Sequence, residues 1–298
     1  MSEKAFLLVN KKGSVFMKKR RDFISLFLML IFTATVVSCG GGGGGGGGGA
    51  PAATTPSGQA TSTIVQTPAV NPDEVDISNL RAYLAGKPAN TVTTAYPIKV
   101  TGLTTTNWTS IITALRANRT KYVNLSSTVL PEGITDMESG FRDCTSLTTA
   151  PAIPSGVTNM YNCFDGCTSL TTAPAIPSSV TNMGYCFSRC TSLTTAPVIP
   201  GSVTDMHSCF KGCTSLTTAP AIPSSVTNMG YCFQGCTLLT ISEIHATITD
   251  NNRWVLCFNN CTAITSIQVP NSTVKDAILA ASGNTAVAGA NVTWTFAP

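Results

Sequence analysis

A phrase of 23 residues recurs from Met137 to Cys236, and this repeat constrains the fold more than any other feature of the sequence. Three residue types mark its period. They are cysteine (Cys144, Cys167, Cys190, Cys213 and Cys236), phenylalanine (Phe141, Phe164, Phe187, Phe210 and Phe233) and methionine (Met137, Met160, Met183, Met206 and Met229). A fixed period of about 20–50 residues is typical of stacked repeat proteins. We therefore predict a solenoid whose surface, rather than a pocket, carries the function.

Each repeat combines two local patterns. Four apolar residues fall at i, i+3, i+4 and i+7: Met160, Cys163, Phe164 and Cys167. This spacing predicts a short helix or helical turn with one buried face. The segment LTTAPAIP, which begins at Leu170, favours an extended backbone because threonine suits strands and proline disrupts helices. One coil cannot bury its apolar side chains by itself, so we expect the coils to stack and form continuous rows.

The repeat block continues beyond its regular copies. Residues Asn252–Pro270 form a degenerate last copy that is offset by two residues. The predicted solenoid covers residues 128–270 in about six coils of 23 residues. Parallel extended segments stack about 4.8 Å apart, which gives a body roughly 25 Å long.

One unit of the repeat can be matched to a known family. The matching residues are Cys167, Leu170, Ala173, Ile176, Pro177, Val180, Met183, Phe187 and Cys190. In this pattern the chain resembles the leucine-rich repeats of BspA-like bacterial surface lipoproteins, including the spirochaete type. It departs from them where alanine and proline occupy strand positions that usually hold β-branched residues. The resemblance implies an α/β repeat fold, a short leucine-rich-repeat-like solenoid, and adhesion to host or matrix proteins.

The segments that flank the repeats have patterns of helices and strands. We predict an α/β N-terminal cap at residues 73–127 and a small C-terminal cap at residues 271–298, because solenoids need covered ends. The N-terminal elements are a helix at Asp73–Leu84, a strand at Tyr96–Leu103, a helix at Asn107–Arg119 and a strand at Lys121–Ser126. The C-terminal elements are a helix at Asn271–Ala281 and a strand at Val292–Phe296.

The first residues of the chain predict export. Lys18–Arg21 are four basic residues, and the almost wholly apolar stretch Phe23–Ser38 follows them. This pattern indicates a signal peptide at residues 1–38, with Met17 as an alternative start. Cys39 directly follows small residues, which resembles the lipobox of bacterial lipoproteins and implies lipidation of Cys39. An ordinary cleaved signal, an uncleaved anchor and twin-arginine export are the alternatives.

Residues 39–72 do not have the composition of a folded core. Gly40–Gly49 is a run of ten glycines, and residues rich in alanine, threonine, serine and proline follow it. We predict a flexible tether of about 30 Å root-mean-square length. Attached to a lipidated Cys39, the tether would hold the folded part at the bacterial outer membrane or cell surface, or facing the periplasm.

The charge of the chain gives no sign of a nucleic-acid partner. The formal net charge is +4, but seven of the 18 basic residues lie in residues 1–38. The remainder has 11 basic and 12 acidic residues, a net charge of −1. A nucleic-acid-binding domain needs a concentration of basic residues, and the sequence outside the signal does not supply it.

The cysteines leave three interpretations open. Five pairs share the spacing CxxxC: Cys163/Cys167, Cys186/Cys190, Cys209/Cys213, Cys232/Cys236 and Cys257/Cys261. The first repeat has Gly140 where its pair would begin. The pairs could form rows of buried thiols, since free cysteine behaves as a small apolar residue. They could instead form disulfides between adjacent coils, which export favours, or bind a metal, although CxxxC is not the usual zinc spacing.

The sequence contains none of the motifs expected of an enzyme. It lacks GxSxG, HExxH, a phosphate-binding loop and GxGxxG. We expect His207 to be an exposed variation of one coil, and Asp143, Asp165 and Asp205 to be solvated turn residues. We therefore predict a non-enzymatic protein with no cofactor, no metal site and no small-molecule substrate.

The candidate binding residues are threonines that recur in the extended segment. They are Thr171, Thr172, Thr194, Thr195, Thr217 and Thr218. Stacked coils would align them into hydroxyl rows, which could be ordinary strand-compatible polar surface or a flat recognition face. The predicted function is a surface-anchored lipoprotein whose solenoid binds host matrix proteins or bacterial surface molecules in adhesion. The alternative is a non-adhesive structural envelope protein that assembles with itself or with envelope partners.

Overall fold

The computed structural model describes residues 72–287 and 291–297, and the backbone of two short strands near the N-terminus. These strands, β1 (Leu8–Val9) and β2 (Val15–Phe16), pair antiparallel. Apart from the backbone of these two strands, the predicted signal peptide lies outside the described residues, as do Cys39 and all but the last residue of the predicted tether. The chain divides into two compact units, residues 1–64 and 65–298, and the second holds every element that follows. No helix of the described residues has the length and apolar character needed to cross a membrane.

The second unit begins with a parallel sheet that leads into the repeats. Its elements are β3 (Asp73–Asp76), α1 (Leu80–Gly86), a 3₁₀ turn (Val92–Thr94), β4 (Tyr96–Thr101), α2 (Ser110–Ala117), β5 (Val123–Asn124) and β6 (Leu147–Thr149). The strands lie in the order β3-β4-β5-β6 and all pair parallel. Since β6 belongs to the first coil, the sheet joins this segment directly to the solenoid.

The helix predicted at Asp73–Leu84 is wrong in its first half. Asp73–Asp76 is a strand, with Val75 on its buried side between exposed carboxylates. The Asp76 carboxylate accepts a hydrogen bond from the Ser78 amide at 2.9 Å, which closes a turn. The helix begins only at Leu80 because this turn separates it from the strand. The strand and helix predicted at Tyr96–Leu103 and Asn107–Arg119 are present in shorter form as β4 and α2.

The repeats form a continuous solenoid, which confirms the predicted fold class. Two rows of parallel bridges connect successive coils. One row follows the extended segments through Thr149, Thr172, Thr195 and Thr218, and the other passes through Asp136, Asn159, Asn182, Asp205 and Asn228. In the middle coils each row has a single bridge per coil. The prolines of the extended segment cannot donate to a ladder, so longer strands do not form there.

The segment predicted as a helical turn is not helical. Its apolar face is buried as expected, but Asn162 and Gly166 adopt left-handed backbone angles, with φ of 54° and 74°. The Phe164 amide donates to the Cys186 carbonyl of the next coil at 2.8 Å, rather than to a carbonyl in its own coil. Each coil has two left-handed residues four positions apart. They orient every second amide of the segment along the solenoid axis. Half of the amides therefore donate to the next coil, and the amides between them close tight turns within their own coil.

Phenylalanine rings form the centre of the core. Six rings stack along the axis with centroids 5.4–5.7 Å apart and with interplanar angles of at most 19°: Phe141, Phe164, Phe187, Phe210, Phe233 and Phe258. The five methionines of the repeat are fully buried beside them, and Trp254 takes the methionine position in the degenerate last copy. Continuous rows of this kind bury side chains that no single coil could cover.

The C-terminal elements extend the solenoid by a second short sheet. They are β7 (Ile241–Glu243), a 3₁₀ turn (Asn251–Trp254), β8 (Ser266–Val269), α3 (Ser272–Ala280) and β9 (Thr293–Phe296). The strands pair parallel in the order β7-β8-β9. The predicted helix and strand are thus both present. The Asn271 side chain accepts a hydrogen bond from the Val274 amide at 3.0 Å, which caps the start of α3.

Side chains from the flanking segments cover both ends of the phenylalanine stack. At the first coil the Trp108 ring packs on Phe141 with centroids 6.0 Å apart. At the last coil the Phe258 amide donates to Asn284 Oδ1 at 3.0 Å. In every earlier coil the corresponding phenylalanine amide donates to a cysteine carbonyl of the next coil. The side chain of Asn284 therefore supplies the acceptor that a further coil would have provided.

Candidate interaction surface

The structure brings part of the predicted threonine set together. Thr172, Thr195 and Thr218 are exposed and lie in register as parallel bridges on one side of the solenoid. Thr194 and Thr217 are also exposed. Thr171 differs from the others because it is half-buried and its hydroxyl donates to the Thr148 carbonyl at 3.2 Å. The accessible part of the predicted face therefore consists of five of the six threonines.

An apolar strip of alanine and proline adjoins the exposed threonines. In successive coils its outermost residues are Ala152, Ala175, Val198 and Ala221, all exposed. Val198 is 86% exposed, the largest fraction among the exposed large apolar residues of the described chain. Two shallow open clefts lie along the strip, and both are lined mainly by its prolines and alanines. The strip offers apolar area and few hydrogen-bond donors, since proline has no amide hydrogen.

A row of aromatic side chains that sequence reasoning missed lies on the turn side of the coils. It consists of Tyr161, Tyr185, His207 and Tyr231, and we call it the aromatic row. Neighbouring ring centroids are 5.3–5.7 Å apart and the rings are tilted or edge-on to one another. All four side chains are half-buried. The expectation of an exposed His207 is therefore wrong, because its ring packs between two tyrosines.

Glycines make room for the aromatic row. A Cβ atom on Gly184 would lie 2.9 Å from the Tyr161 ring, and one on Gly230 would lie 3.0 Å from His207 Nδ1. The aromatic residue alternates between the first and second positions after the methionine, and glycine takes the first position whenever the ring is at the second. This alternation is readable in the sequence as spacings of 24, 22 and 24 residues instead of 23.

Burial sets the protonation of His207. Its environment lowers the pKa of the imidazole below the ordinary value, mainly through burial and to a smaller extent through the ammonium of Lys211, while the Asp205 carboxylate opposes the shift. The Tyr185 hydroxyl lies 3.3 Å from His207 Nε2. The ring is therefore neutral at neutral pH and links two tyrosines without adding charge to the row.

The acidic residues of the repeats do not share one environment. Asp165 is 5% exposed, and its carboxylate accepts from Arg189 Nε at 3.0 Å and from Nη2 at 2.7 Å. Arg142 Nε lies 3.5 Å from the same carboxylate, and Asp143 lies 3.5 Å from Arg189. The expectation that Asp165 is a solvated turn residue is therefore wrong. These side chains form an ionic cluster across the first three coils.

The cysteines of the described residues are all free and buried. The second cysteine of each pair donates its thiol to a phenylalanine carbonyl of the preceding coil, as Cys190 Sγ does to Phe164 at 3.2 Å. Burial raises the pKa of these thiols, to about 12 for Cys213. This arrangement matches the first of the three interpretations, rows of buried thiols, with a hydrogen-bonding role added. Among the residues described, no cluster of three or more potential ligands is placed to hold a metal.

Comparison with known protein families identifies the repeats. The family described as the BspA type leucine rich repeat region matches residues 113–240 and 197–280, with six copies. These ranges cover more than half of the chain. No curated protein matches the sequence.

Three solved structures illustrate the likeness. A leucine rich repeat protein of T. pallidum is 24% identical over 50% of this chain and 71% of its own, with a TM-score of 0.39. A leucine rich cell surface protein of Faecalibacterium prausnitzii is 22% identical over 53% and 56% of the two chains, with a TM-score of 0.28. A leucine-rich repeat protein of Bacteroides ovatus is 17% identical over 76% and 69%, with a TM-score of 0.30.

Proposed function

The chain belongs to the family of BspA-type leucine-rich repeat proteins, and from this premise we propose that it is a lipid-anchored bacterial surface protein whose solenoid binds other proteins in adhesion to host or matrix molecules. The single observation that carries the proposal is an uncharged surface that repeats from coil to coil. It lies on the side of the solenoid that exposes Thr172, Thr195 and Thr218. Solenoids present extended surfaces of this kind to protein partners.

The chemistry of that surface favours a protein partner. Thr172, Thr195 and Thr218 offer hydroxyl groups in register, and the adjoining strip offers apolar area around Val198. Protein interfaces combine an apolar centre with hydrogen-bonding groups at its rim. The shallow clefts of the strip are too open to enclose a small molecule in the way that ligand pockets do, so we propose a binding scaffold rather than an enzyme.

The anchoring part of the proposal rests on the sequence. The basic and apolar stretches before Cys39 supply a signal, and lipidation of Cys39 followed by the tether at residues 39–72 would hold the solenoid at the outer membrane or cell surface. Residues 73–127 and 271–298 would act as the caps of the solenoid at residues 128–270. The packing of Trp108 and Asn284 against its two ends supports this division.

Binding is tested with the full chain and immobilised extracellular-matrix proteins. The variant Thr195→Glu/Thr218→Glu places two charges in the threonine row. The control Ser178→Glu/Ser224→Glu places the same charges on exposed serines of neighbouring segments. We expect saturable binding by the parent chain and by the control, and a loss of binding by the threonine variant. Absence of saturable binding by the parent chain would contradict adhesion.

Anchoring has its own test. The variant Cys39→Ser is expected to move the chain from the membrane fraction to the soluble fraction of expressing cells, because it removes the thiol that carries the lipid. Protease added to intact cells then reports the location. Digestion of the parent chain indicates the outer surface, and protection indicates a periplasmic location and argues against adhesion.

A further inference from the structure

The two ends of the sheet system differ in how they expose their last strands. At the N-terminal end β3 has the sequence Asp-Glu-Val-Asp, with three carboxylates among four residues. At the C-terminal end β9 has the sequence Thr-Trp-Thr-Phe and no charge. Natural proteins protect edge strands from pairing with charged residues, proline or covering loops. β3 has this protection in its side chains, and β9 does not.

The free edge of β9 carries unpaired hydrogen-bonding groups. The amides of Thr293 and Ala297 donate to carbonyls on the β8 side at 2.8 and 2.9 Å. Amide directions alternate along a strand, so those of Trp294 and Phe296 point away from β8. In the part of the chain that the structure describes, no strand pairs with this outer edge. β9 is therefore a template for one more strand.

The side chains of β9 leave the core partly open at the same place. Trp294 and Phe296 pair in register with Ile267 and Val269 of β8, which are fully buried. They therefore point to the core side of the sheet. Phe296 is nevertheless 51% exposed. Lys275 of α3 reaches over Trp294, with its Nζ 5.7 Å from the ring centroid. Within residues 72–287 and 291–297 no lysine or arginine covers the Phe296 ring in this way.

We propose that β9 of one chain pairs antiparallel with β9 of a second copy across a twofold axis. Such an interface brings an uncharged edge against itself and covers Phe296 with apolar side chains of the partner. Twofold dimers are the commonest symmetric assemblies, and strand addition at an open edge is a recurrent mode of association.

The chemistry of β3 disfavours the alternative in which β9 pairs head-to-tail with β3 of the next chain. Asp73 and Val75 share the core side of β3, because Val75 is the buried residue of the strand and side chains alternate. The Asp73 carboxylate is bound to Tyr83 and Lys87 on α1. Head-to-tail pairing would set the exposed phenyl ring beside this charged group, and burying a charge is costly.

A four-residue strand pair gives a small interface. Interfaces below about 1,200 Å² belong to weak and transient complexes. The dimer is therefore expected to depend on the local concentration of the chain, which a membrane raises. The expected concentration rests on the membrane anchoring proposed above but not on adhesion, and the dimer leaves Thr172, Thr195 and Thr218 of each copy free.

Thiol cross-linking of the full chain in membranes tests the proposal. Thr295→Cys places a new thiol on the exposed face of β9, while the native cysteines of the described residues stay buried. Control variants are Val198→Cys, which is exposed on the side of the solenoid, and Glu74→Cys on β3. A short bismaleimide is expected to convert Thr295→Cys to a dimer and to leave both controls at the background of the parent chain.

The outcomes separate the possible assemblies. Addition of Phe296→Asp to Thr295→Cys is expected to lower the yield of dimer about tenfold through like-charge repulsion, whereas Phe296→Leu keeps it. Cross-linking of Thr295→Cys to Glu74→Cys in a mixture, with products larger than a dimer, would establish head-to-tail assembly and overturn the twofold proposal. If Thr295→Cys and Val198→Cys gave equal yields of cross-linked dimer, the twofold proposal would be overturned as well.

Discussion

Two positions in each coil require a left-handed backbone, and the chain fills them with unlike residues. Gly166, Gly212 and Gly235 occupy the second position, but Asp143 and Arg189 occupy it in other coils with φ of 56° and 59°. A residue with a side chain in this region costs about 1–3 kcal/mol. The cost is offset because the turn directs backbone amides to carbonyls of the next coil.

Restoring the repeat pattern at one position is expected to destabilise the protein. Gly140 stands where later coils have cysteine, and a Cβ there would lie 2.8 Å from the buried Trp108 ring. We expect Gly140→Cys to lower the free energy of unfolding by about 1–3 kcal/mol, as overpacking does. Chemical denaturation measures the change.

Gly201 provides the matched control for this substitution. It stands where other coils have serine, and no atom lies within 4 Å of its added Cβ. Gly201→Ser also restores the repeat pattern, and we expect it to change the stability by less than about 0.5 kcal/mol. Equal effects of Gly140→Cys and Gly201→Ser would show that contact with Trp108 is not the cause.

The sequence predicts which residues of a coil are buried but not how its backbone turns. Met160, Cys163, Phe164 and Cys167 are fully buried, as their spacing predicts. The same spacing suits a helix and a series of turns, since both place these residues on one side. Only the partners of the amides distinguish them, and those partners are 22 residues away, as Phe164 and Cys186 show. Local periodicity does not contain that information.

Contacts between coils decide the environment of charged residues in the same way. The residues of its own coil alone would leave Asp165 exposed to solvent. Arg189 of the next coil and Arg142 of the preceding coil cover its carboxylate. The aromatic row was missed for a related reason. Its members occupy different positions within the repeat, so alignment at a constant period separates Tyr161 from Tyr185.

Removal of the Asp165 charge tests the ionic cluster as a connection between coils. The Asp165 side chain is 7% exposed and that of Arg189 is 55% exposed. We expect Asp165→Asn to lower the free energy of unfolding by about 1–2 kcal/mol, since the carboxylate is buried but its partner is partly solvated. Asp250→Asn is the control, because Asp250 is 54% exposed and lies 3.9 Å from Arg253. An equal fall in the midpoint temperature of thermal unfolding in both variants would contradict a role for Asp165 in connecting the coils.

The thiol rows predict a sharp difference in reactivity between folded and unfolded chains. We expect the eleven cysteines of the described residues to resist a thiol reagent in the native protein and to react fully in denaturant. Val198→Cys adds an exposed thiol that should react at once. Rapid labelling of several native cysteines at neutral pH would contradict the buried rows.

Burial of the thiols also predicts a loss of stability at alkaline pH. Unfolded cysteine has a pKa of about 8.5, whereas burial raises the pKa of Cys144, Cys213 and Cys261 to about 12 in the folded protein. Between these values the unfolded chain binds fewer protons than the folded chain. The free energy of unfolding should therefore fall as the pH rises from about 9 to 12, and denaturation curves across this range measure it.

At the scale of the whole molecule, stability depends on how the stack of coils ends. Asn284 is 3% exposed and makes three hydrogen bonds, to the Phe258 amide and to the carbonyls of Trp254 and Ile278. The sequence predicts a helix and a strand after the repeats, and both exist. It does not reveal that a loop asparagine completes the last coil, because that role depends on where the loop folds back.

Loss of Asn284 is expected to loosen the C-terminal coil first. Asn284→Ala leaves the buried Phe258 amide without an acceptor and removes one of the two donors to each of the Trp254 and Ile278 carbonyls, and we expect the free energy of unfolding to fall by about 1–3 kcal/mol. Hydrogen exchange should accelerate around Phe258 before it changes around Phe164. Asn271→Ala, which removes only the cap of α3, should cost about 1 kcal/mol. Uniform acceleration along the solenoid would contradict an end effect.

The hydrogen bonds between coils run along the length of the solenoid, and this direction has a mechanical consequence. A pulling force applied at the two ends of the solenoid loads these bonds one coil at a time instead of all together. Each coil that peels away releases 23 residues, or roughly 80 Å of extended chain. The molecule would then yield in even steps, so that it lengthens and dissipates work while its remaining coils stay folded.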